Sequence, residues 1–249
     1  MAMYRVGTRG AEVEEIHKLL GLRGYGSESG DEFTAETEKS VRAFQSQNLD
    51  PRGVPLVVDG VVGPLTEWSL RHPKPTGIEG YFSYTTMPAS GGSRIGRAAL
   101  EQAIGQIQAG ACEQGGNNCG PFVTRYLAGH GHAGDSWCAA FVSYCFQEAA
   151  KENHSAMPFQ YSLSARDILR QFDDKKLASN VLGTRLPDPG DLVVWWRGAP
   201  NGWKGHIGLV HSVQDGVLYT IEGNRSPRVQ GFSYVLSRME KLLGYCQVQ

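Results

Sequence analysis

Long apolar runs are missing from this 249-residue chain. No stretch of 18 hydrophobic residues occurs, so no helix is expected to cross a membrane. A dominant charge is missing too: 24 basic and 25 acidic residues leave a net charge of −1. No bulk field therefore steers the protein to nucleic acid or anionic lipid, and no basic face interleaved with aromatics is present. The opening Met1-Ala2-Met3-Tyr4-Arg5-Val6-Gly7 lacks an apolar signal core, so synthesis in the cytoplasm without a Sec signal is expected. No His-Glu-x-x-His helix occurs. Cys112, Cys119, His130, His132 and Cys138 lack the spacing of common zinc sites, so neither metal nor cofactor is expected. Cysteines are few and odd in number, at 112, 119, 138, 145 and 246, and cytoplasmic synthesis favours thiols over disulfides.

What is present begins with Cys138. In Gly134-Asp135-Ser136-Trp137-Cys138-Ala139-Ala140-Phe141-Val142-Ser143, small polar residues give way to a helix-forming run. Asp135 or Ser136 offers an N-cap and places Cys138 in the first turn. There a thiol meets the positive end of the helix dipole, which favours thiolate. Positions 138, 141, 142, 145 and 149 share one face, so Cys138 tops a buried stripe. The competing reading is a buried, inert cysteine.

A base follows downstream. Pro187-Asp188-Pro189-Gly190-Asp191 reads as a turn and Leu192–Trp196 as a buried strand. The segments 206–213 and 217–224 alternate like two strands around Gln214-Asp215-Gly216. A two-residue Asp215-Gly216 loop pairs Gln214 with Val217 and faces His206 toward Arg225. A three-residue loop pairs Val213 with Val217, sets His206 opposite Asn224 and puts Glu222 one diagonal step away. Of the two, only the longer loop builds a site. In it Cys138 is the nucleophile, His206 the general base and then acid, and Glu222 or Asn224 the group that orients the imidazole. The backbone N–H of Cys138 is a natural oxyanion donor. His211, an odd number of positions from His206, points to the other face and reads as structural. Trp137, Trp195, Trp196 and Trp203 offer apolar walls for a substrate, and Asn117 and Asn118 offer amide hydrogen bonds.

These pieces resemble the CHAP family of cysteine/histidine-dependent amidohydrolases and peptidases. The matching motifs are Gly116-Asn117-Asn118-Cys119-Gly120-Pro121, Trp137-Cys138-Ala139-Ala140-Phe141-Val142-Ser143, Pro189-Gly190-Asp191-Leu192-Val193-Val194, Gly205-His206-Ile207-Gly208 and Glu222-Gly223-Asn224. The resemblance implies an α+β fold, papain-like, with an antiparallel sheet and packed helices over 96–249. It also implies cleavage of an amide bond in peptidoglycan by Cys138, His206, Glu222 and Asn224. The bond is either the muramoyl–L-alanine amide or one in the stem peptide or cross-link.

Residues 1–72 form a different unit. Gly30-Asp31-Glu32-Phe33-Thr34 is echoed 29 positions later by Asp59-Gly60-Val61-Val62-Gly63, each an acidic turn before a helix start. Val13, Ile16, Leu19 and Leu20 give one amphipathic helix, and Val41 and Phe44 another. Through Gly7-Thr8-Arg9-Gly10-Ala11-Glu12-Val13, Ala43-Phe44-Gln45 and Asp59–Thr66, the segment resembles the small all-α, three-helix peptidoglycan-binding domain, with His17 where glutamine is usual. Residues 73–95, rich in Pro, Gly, Ser and Thr, read as a linker, with the aromatics of 81–84 docking on a domain. The whole is expected to act as a monomer on peptidoglycan, reached by non-Sec export or by lysis. That fits a lytic toxin of the type VI kind or a phage endolysin. An immunity protein or a secretion apparatus is a further expected partner. The alternative is a wall-anchoring protein with an idle hydrolase fold.

Overall fold

A computed structural model of the chain describes residues 2–23, 25, 29–46, 48, 50–51, 56–72, 82–180 and 185–249. The chain divides into two compact units. One comprises Met1–Phe82 with the short segments Gln114–Asn117 and Arg225–Arg228, and the other holds the remainder. Of the stretch read as a linker, 73–81 lies outside the described residues, and from Ser83 onward the chain belongs to the second unit.

The first unit holds helices α1 (Ala11–Leu22), α2 (Ala35–Gln45) and α3 (Pro64–Arg71). Val13, Ile16, Leu20, Phe33, Val41, Phe44, Val62 and Leu70 form its core. The internal repeat has a physical basis in two buried polar clasps. Gln45 at the end of α2 accepts from the Gly60 N–H (2.9 Å) and donates to Asp59 Oδ1 (2.8 Å) and Thr66 Oγ1 (3.2 Å). On α1, His17 does the corresponding work, with Nδ1 3.0 Å from the Gly30 carbonyl and Nε2 2.8 Å from Thr37 Oγ1. A histidine and a glutamine thus each tie one helix to the turn and helix start that follow it. Burial without such partners would cost about 1–3 kcal/mol per polar group.

The second unit is a mixed α+β fold of the papain-like type. Helices α4 (Arg94–Gln108), α5 (Pro121–Leu127), α6 (Cys138–Glu152) and α7 (Ala165–Asp174) accompany strands β1 (Ala178–Ser179), β2 (Leu192–Trp196), β3 (Gly205–Gln214), β4 (Val217–Glu222), β5 (Gln230–Val235) and β6 (Leu242–Cys246). The strands make one antiparallel sheet in the order β1-β6-β2-β3-β4-β5. Strand alternation sends Leu192, Val194, Ile207, Leu209 and Ile221 to one face, where they pack with Phe141, Val142 and Cys145 of α6. Val193, Trp195, Val210 and Leu218 face the other way and form a smaller cluster with Tyr245. Tyr84 docks on the sheet too, edge-on to His211 and Tyr219, in a space kept open by Gly231, where an added Cβ would lie 2.2 Å from its ring.

The β3–β4 turn is the two-residue one, so the three-residue loop expected to build the site is not the one formed. Gln214 pairs with Val217, and Asp215 and Gly216 take φ of 49° and 74°, the left-handed pair that suits such a turn. A bulge at His211 then shifts the ladder by one residue: Ser212 pairs with Tyr219, yet Val210 pairs with Thr220 and Leu209 with Ile221. Continued onward, that register sets Gly208 opposite Glu222 and His206 opposite Asn224. A Cβ on Gly208 would lie 2.7 Å from Glu222 Cγ, which confirms the pairing. The extra residue in β3 does what a longer turn was expected to do.

Candidate active site

Cys138 is the first residue of α6 and is buried. The expected side-chain cap is not formed. Trp137 takes the N-cap position without a side-chain hydrogen bond, while Asp135 Oδ2 accepts from the His132 N–H at 2.8 Å. Asp135 is held within its own loop. An α-helix begins with N–H groups that lack intrahelical partners, and the side chain at the N-cap position of α6 does not cap them. A helix start of this kind favours negative charge, whether a thiolate or an oxyanion.

Trp137 itself is not an open wall for substrate. Its indole is 1 % exposed, packs beside Tyr126 and Phe141, and donates to Glu113 Oε1 at 2.7 Å. It also lies against Gly223, where an added Cβ would sit 2.4 Å from the ring and 3.0 Å from Phe141 Cβ. That close approach locks the start of α6 to the residue immediately after Glu222. Cys138 therefore stands at the end of the sheet where β3 begins and β4 finishes.

At that end His206 and Glu222 form a buried pair, 1 % and 0 % exposed, with His206 Nε2 2.7 Å from Glu222 Oε2. The other carboxylate oxygen accepts from Thr220 Oγ1 (2.6 Å) and Tyr234 Oη (2.7 Å). A carboxylate with these donors is fixed in place and acts as the hydrogen-bond acceptor, so Nε2 carries the proton and Nδ1 carries the lone pair. Trp195 lies across the strand from His206, with ring centroids 5.7 Å apart, and Tyr234 packs on Trp195 at 5.0 Å. The imidazole–carboxylate pair thus sits on the sheet face away from α6. Nδ1 is 2.9 Å from Nη2 of Arg197, the residue that follows β2.

Asn224 follows β4 with φ 61° and is buried, opposite His206 by register. Asn118 is also left-handed (φ 57°), and its side chain donates to the Gly134 carbonyl at 3.0 Å, tying its loop to the loop before Cys138. Asn117 is exposed and belongs to the first unit. Trp196 is half-buried beneath Lys241, and Trp203 is 81 % exposed beside Lys204. Of the proposed walls, only Trp203 presents most of its surface to solvent.

Of the remaining thiols, Cys145 is buried two turns below Cys138 on the same helix face, and burial pushes it well above the usual thiol range, as it does Cys246. Both are packing groups. Among the described residues no cysteine is in a disulfide, and no three His, Cys, Asp or Glu side chains cluster as metal ligands would. Asp191 of the Pro-Gly-Asp turn is structural: it accepts from the backbone N–H groups of Asp188 and Val248, both at 2.9 Å, and pins the chain terminus to the turn.

Three contributors escaped the sequence reading: Arg197, Tyr234 and Thr220. Thr220, two positions before Glu222 on the same strand, was readable from strand alternation. Tyr234 was not, because the 223–229 connection does not fix the β4–β5 register.

A cysteine at a helix start and a buried histidine–carboxylate pair thus lie in the same unit, joined through the Trp137–Gly223 contact. The family model described as the CHAP domain matches residues 129–224, a span that contains Cys138, His206, Glu222 and Asn224. CHAP domains are typically cysteine/histidine-dependent amidohydrolases, and peptidoglycan is their characteristic substrate. No curated protein matches the chain.

Proposed function

We propose that the protein is a peptidoglycan hydrolase that cuts an amide bond through Cys138, with His206 as base and Glu222 as its orienting carboxylate. The observation that carries this reading is the buried His206–Glu222 contact at the sheet end to which Trp137 and Gly223 lock the start of α6. His206 Nδ1 takes the thiol proton and the sulfur attacks the amide carbonyl. The start of α6 stabilises the oxyanion, and the imidazolium then protonates the leaving amine. Water releases the acyl group from sulfur by the reverse sequence. Glu222 stays ionised throughout and holds the ring, a role it fills better than Asn224 because it is already hydrogen-bonded to Nε2.

The three helices of the first unit serve in this reading as the tether to the wall, raising the local concentration of a polymeric substrate. The sequence features behind the lytic toxin and endolysin roles support either equally. Mass spectrometry of digested sacculi tests the reading. Wild type is expected to produce new amine ends and Cys138→Ser none. No new ends from wild type would replace the enzyme with an anchoring protein, and equal new ends from both would take catalysis away from Cys138.

A further inference from the structure

The contact between Arg197 and His206 has no place in the mechanism above, and it obstructs that mechanism. An imidazole has one lone pair to offer as a base. Glu222 holds Nε2–H, so the lone pair is on Nδ1, where the Arg197 guanidinium donates at 2.9 Å. Arginine is a donor only and stays charged at any working pH. While it sits there, Nδ1 cannot accept the Cys138 proton, and a fixed cation opposes the imidazolium that would form.

The loop that carries Arg197 has its backbone held by hydrogen bonds. Arg197 N–H donates to the Lys204 carbonyl (3.1 Å) and closes the 197–204 loop. Arg166 of α7 then holds that loop through the carbonyls of Lys204 (2.9 Å) and Pro200 (2.7 Å). The residue Arg197 is itself exposed, so a long side chain swings from a pinned anchor at the site's rim. A planar guanidinium leaves a neutral nitrogen most readily for a carboxylate, which it binds with two charge-assisted hydrogen bonds. The rim suits an anion: Lys204 lies over the exposed Trp203 ring and Lys241 over Trp196, each 5.5 Å from the ring centroid.

We propose that Arg197 is the specificity-determining residue of this site, a latch on the base that a substrate carboxylate withdraws. The inference rests on the hydrolase reading and names its substrate class: stem peptides whose carboxylates are ionised rather than amidated. When the carboxylate arrives, Arg197 exchanges its hydrogen bond to Nδ1 for bonds to the carboxylate oxygens. The exposed lone pair takes the proton from the Cys138 S–H, and the sulfur's electron pair forms the new S–C bond. Binding of the right substrate is thereby coupled to arming of the nucleophile.

The test uses the whole protein as wild type, Arg197→Ala and Arg197→Gln, with thermal melting to confirm that each is folded. One arm measures kcat/KM on a muropeptide with ionised carboxylates and on the same muropeptide amidated. Wild type should prefer the ionised form by roughly tenfold or more, the scale of a charge-assisted pair. Both variants should lose most of that preference, slowing on the ionised form and, with the base unlatched, speeding up on the amidated one. The second arm needs no substrate: alkylation of Cys138 by iodoacetamide, followed by peptide mapping, should run several-fold faster in both variants. Unchanged preference, or alkylation that is unchanged or slower, overturns the latch. If wild type cuts neither muropeptide the hydrolase reading fails, while the alkylation arm still decides whether Arg197 restrains the thiol.

Discussion

Strand β3 carries two buried histidines on opposite faces of one sheet, and their surroundings could hardly differ more. His211 sits at the bulge on the helix-covered face. There Nε2 donates to the Thr86 carbonyl at 2.9 Å, and Tyr84 packs edge-on. His206, on the other face, has a carboxylate on one nitrogen and a guanidinium on the other. The first is satisfied by neutral groups and contributes to folding. The second is suspended between two charges, an arrangement that stability alone does not call for, since buried ion pairs rarely outperform apolar packing. Burial alone does not distinguish these two histidines; the charge of their partners does.

The comparison can be broken most forcefully at the charged face. His206→Ala or Cys138→Ala should lower amide hydrolysis by about 10³-fold or more, because nucleophile and base act as a unit. Melting behaviour should change far less than activity. Glu222→Gln should cost roughly 10²–10⁴ in kcat, because an amide cannot stabilise an imidazolium as a carboxylate does. Steady-state kinetics against melting temperature separates these effects from misfolding. The opposite pattern is expected on the helix-covered face. Phe146→Ala, in the same core, should destabilise by about 3–5 kcal/mol in denaturant titrations, the usual cost of an emptied aromatic site, with little loss of activity per folded molecule.

Smaller effects sharpen the contrast. Tyr234→Phe removes one of the donors to Glu222 and should cost about 1 kcal/mol, read as a few-fold fall in kcat. His211 supplies the pH test. Burial holds its imidazole below the ordinary value of 6.5, against a lesser opposing pull from the Thr86 carbonyl. The folded state therefore binds fewer protons than the unfolded chain as pH falls through that value. Stability contributed by neutral His211 is fully present above about pH 7 and declines as pH drops toward the lowered folded value. His211→Gln should flatten that part of the melting-temperature profile and leave the substrate preference unchanged.

Much of this was legible in the residues. The helix starting at Cys138, the His206 and Glu222 strands and the Asp215-Gly216 turn all follow from patterns of period 3.6 and 2 with a left-handed turn pair. The route to the site was not legible. Nothing local in Val210-His211-Ser212 announces a bulge, so turn length alone seemed to decide the register. The N-cap was misassigned to Asp135 or Ser136 because a capping residue type does not reveal where the helix starts, which is at Cys138, with Trp137 in the N-cap position. Trp137 looked like a substrate wall because sequence does not show that Gly223 leaves it a slot. Arg197 was invisible, since its meaning lies in where one flexible side chain rests.

The central claim is that an acyl group passes through the sulfur of Cys138. Rapid-quench mass spectrometry of the enzyme during turnover on peptidoglycan fragments tests it directly. A transient mass increase equal to the acyl half of the substrate, mapped to the peptide bearing Cys138 and removed by hydroxylamine, is the expected result. Turnover with no adduct on that peptide, persisting in Cys138→Ser, would contradict the account.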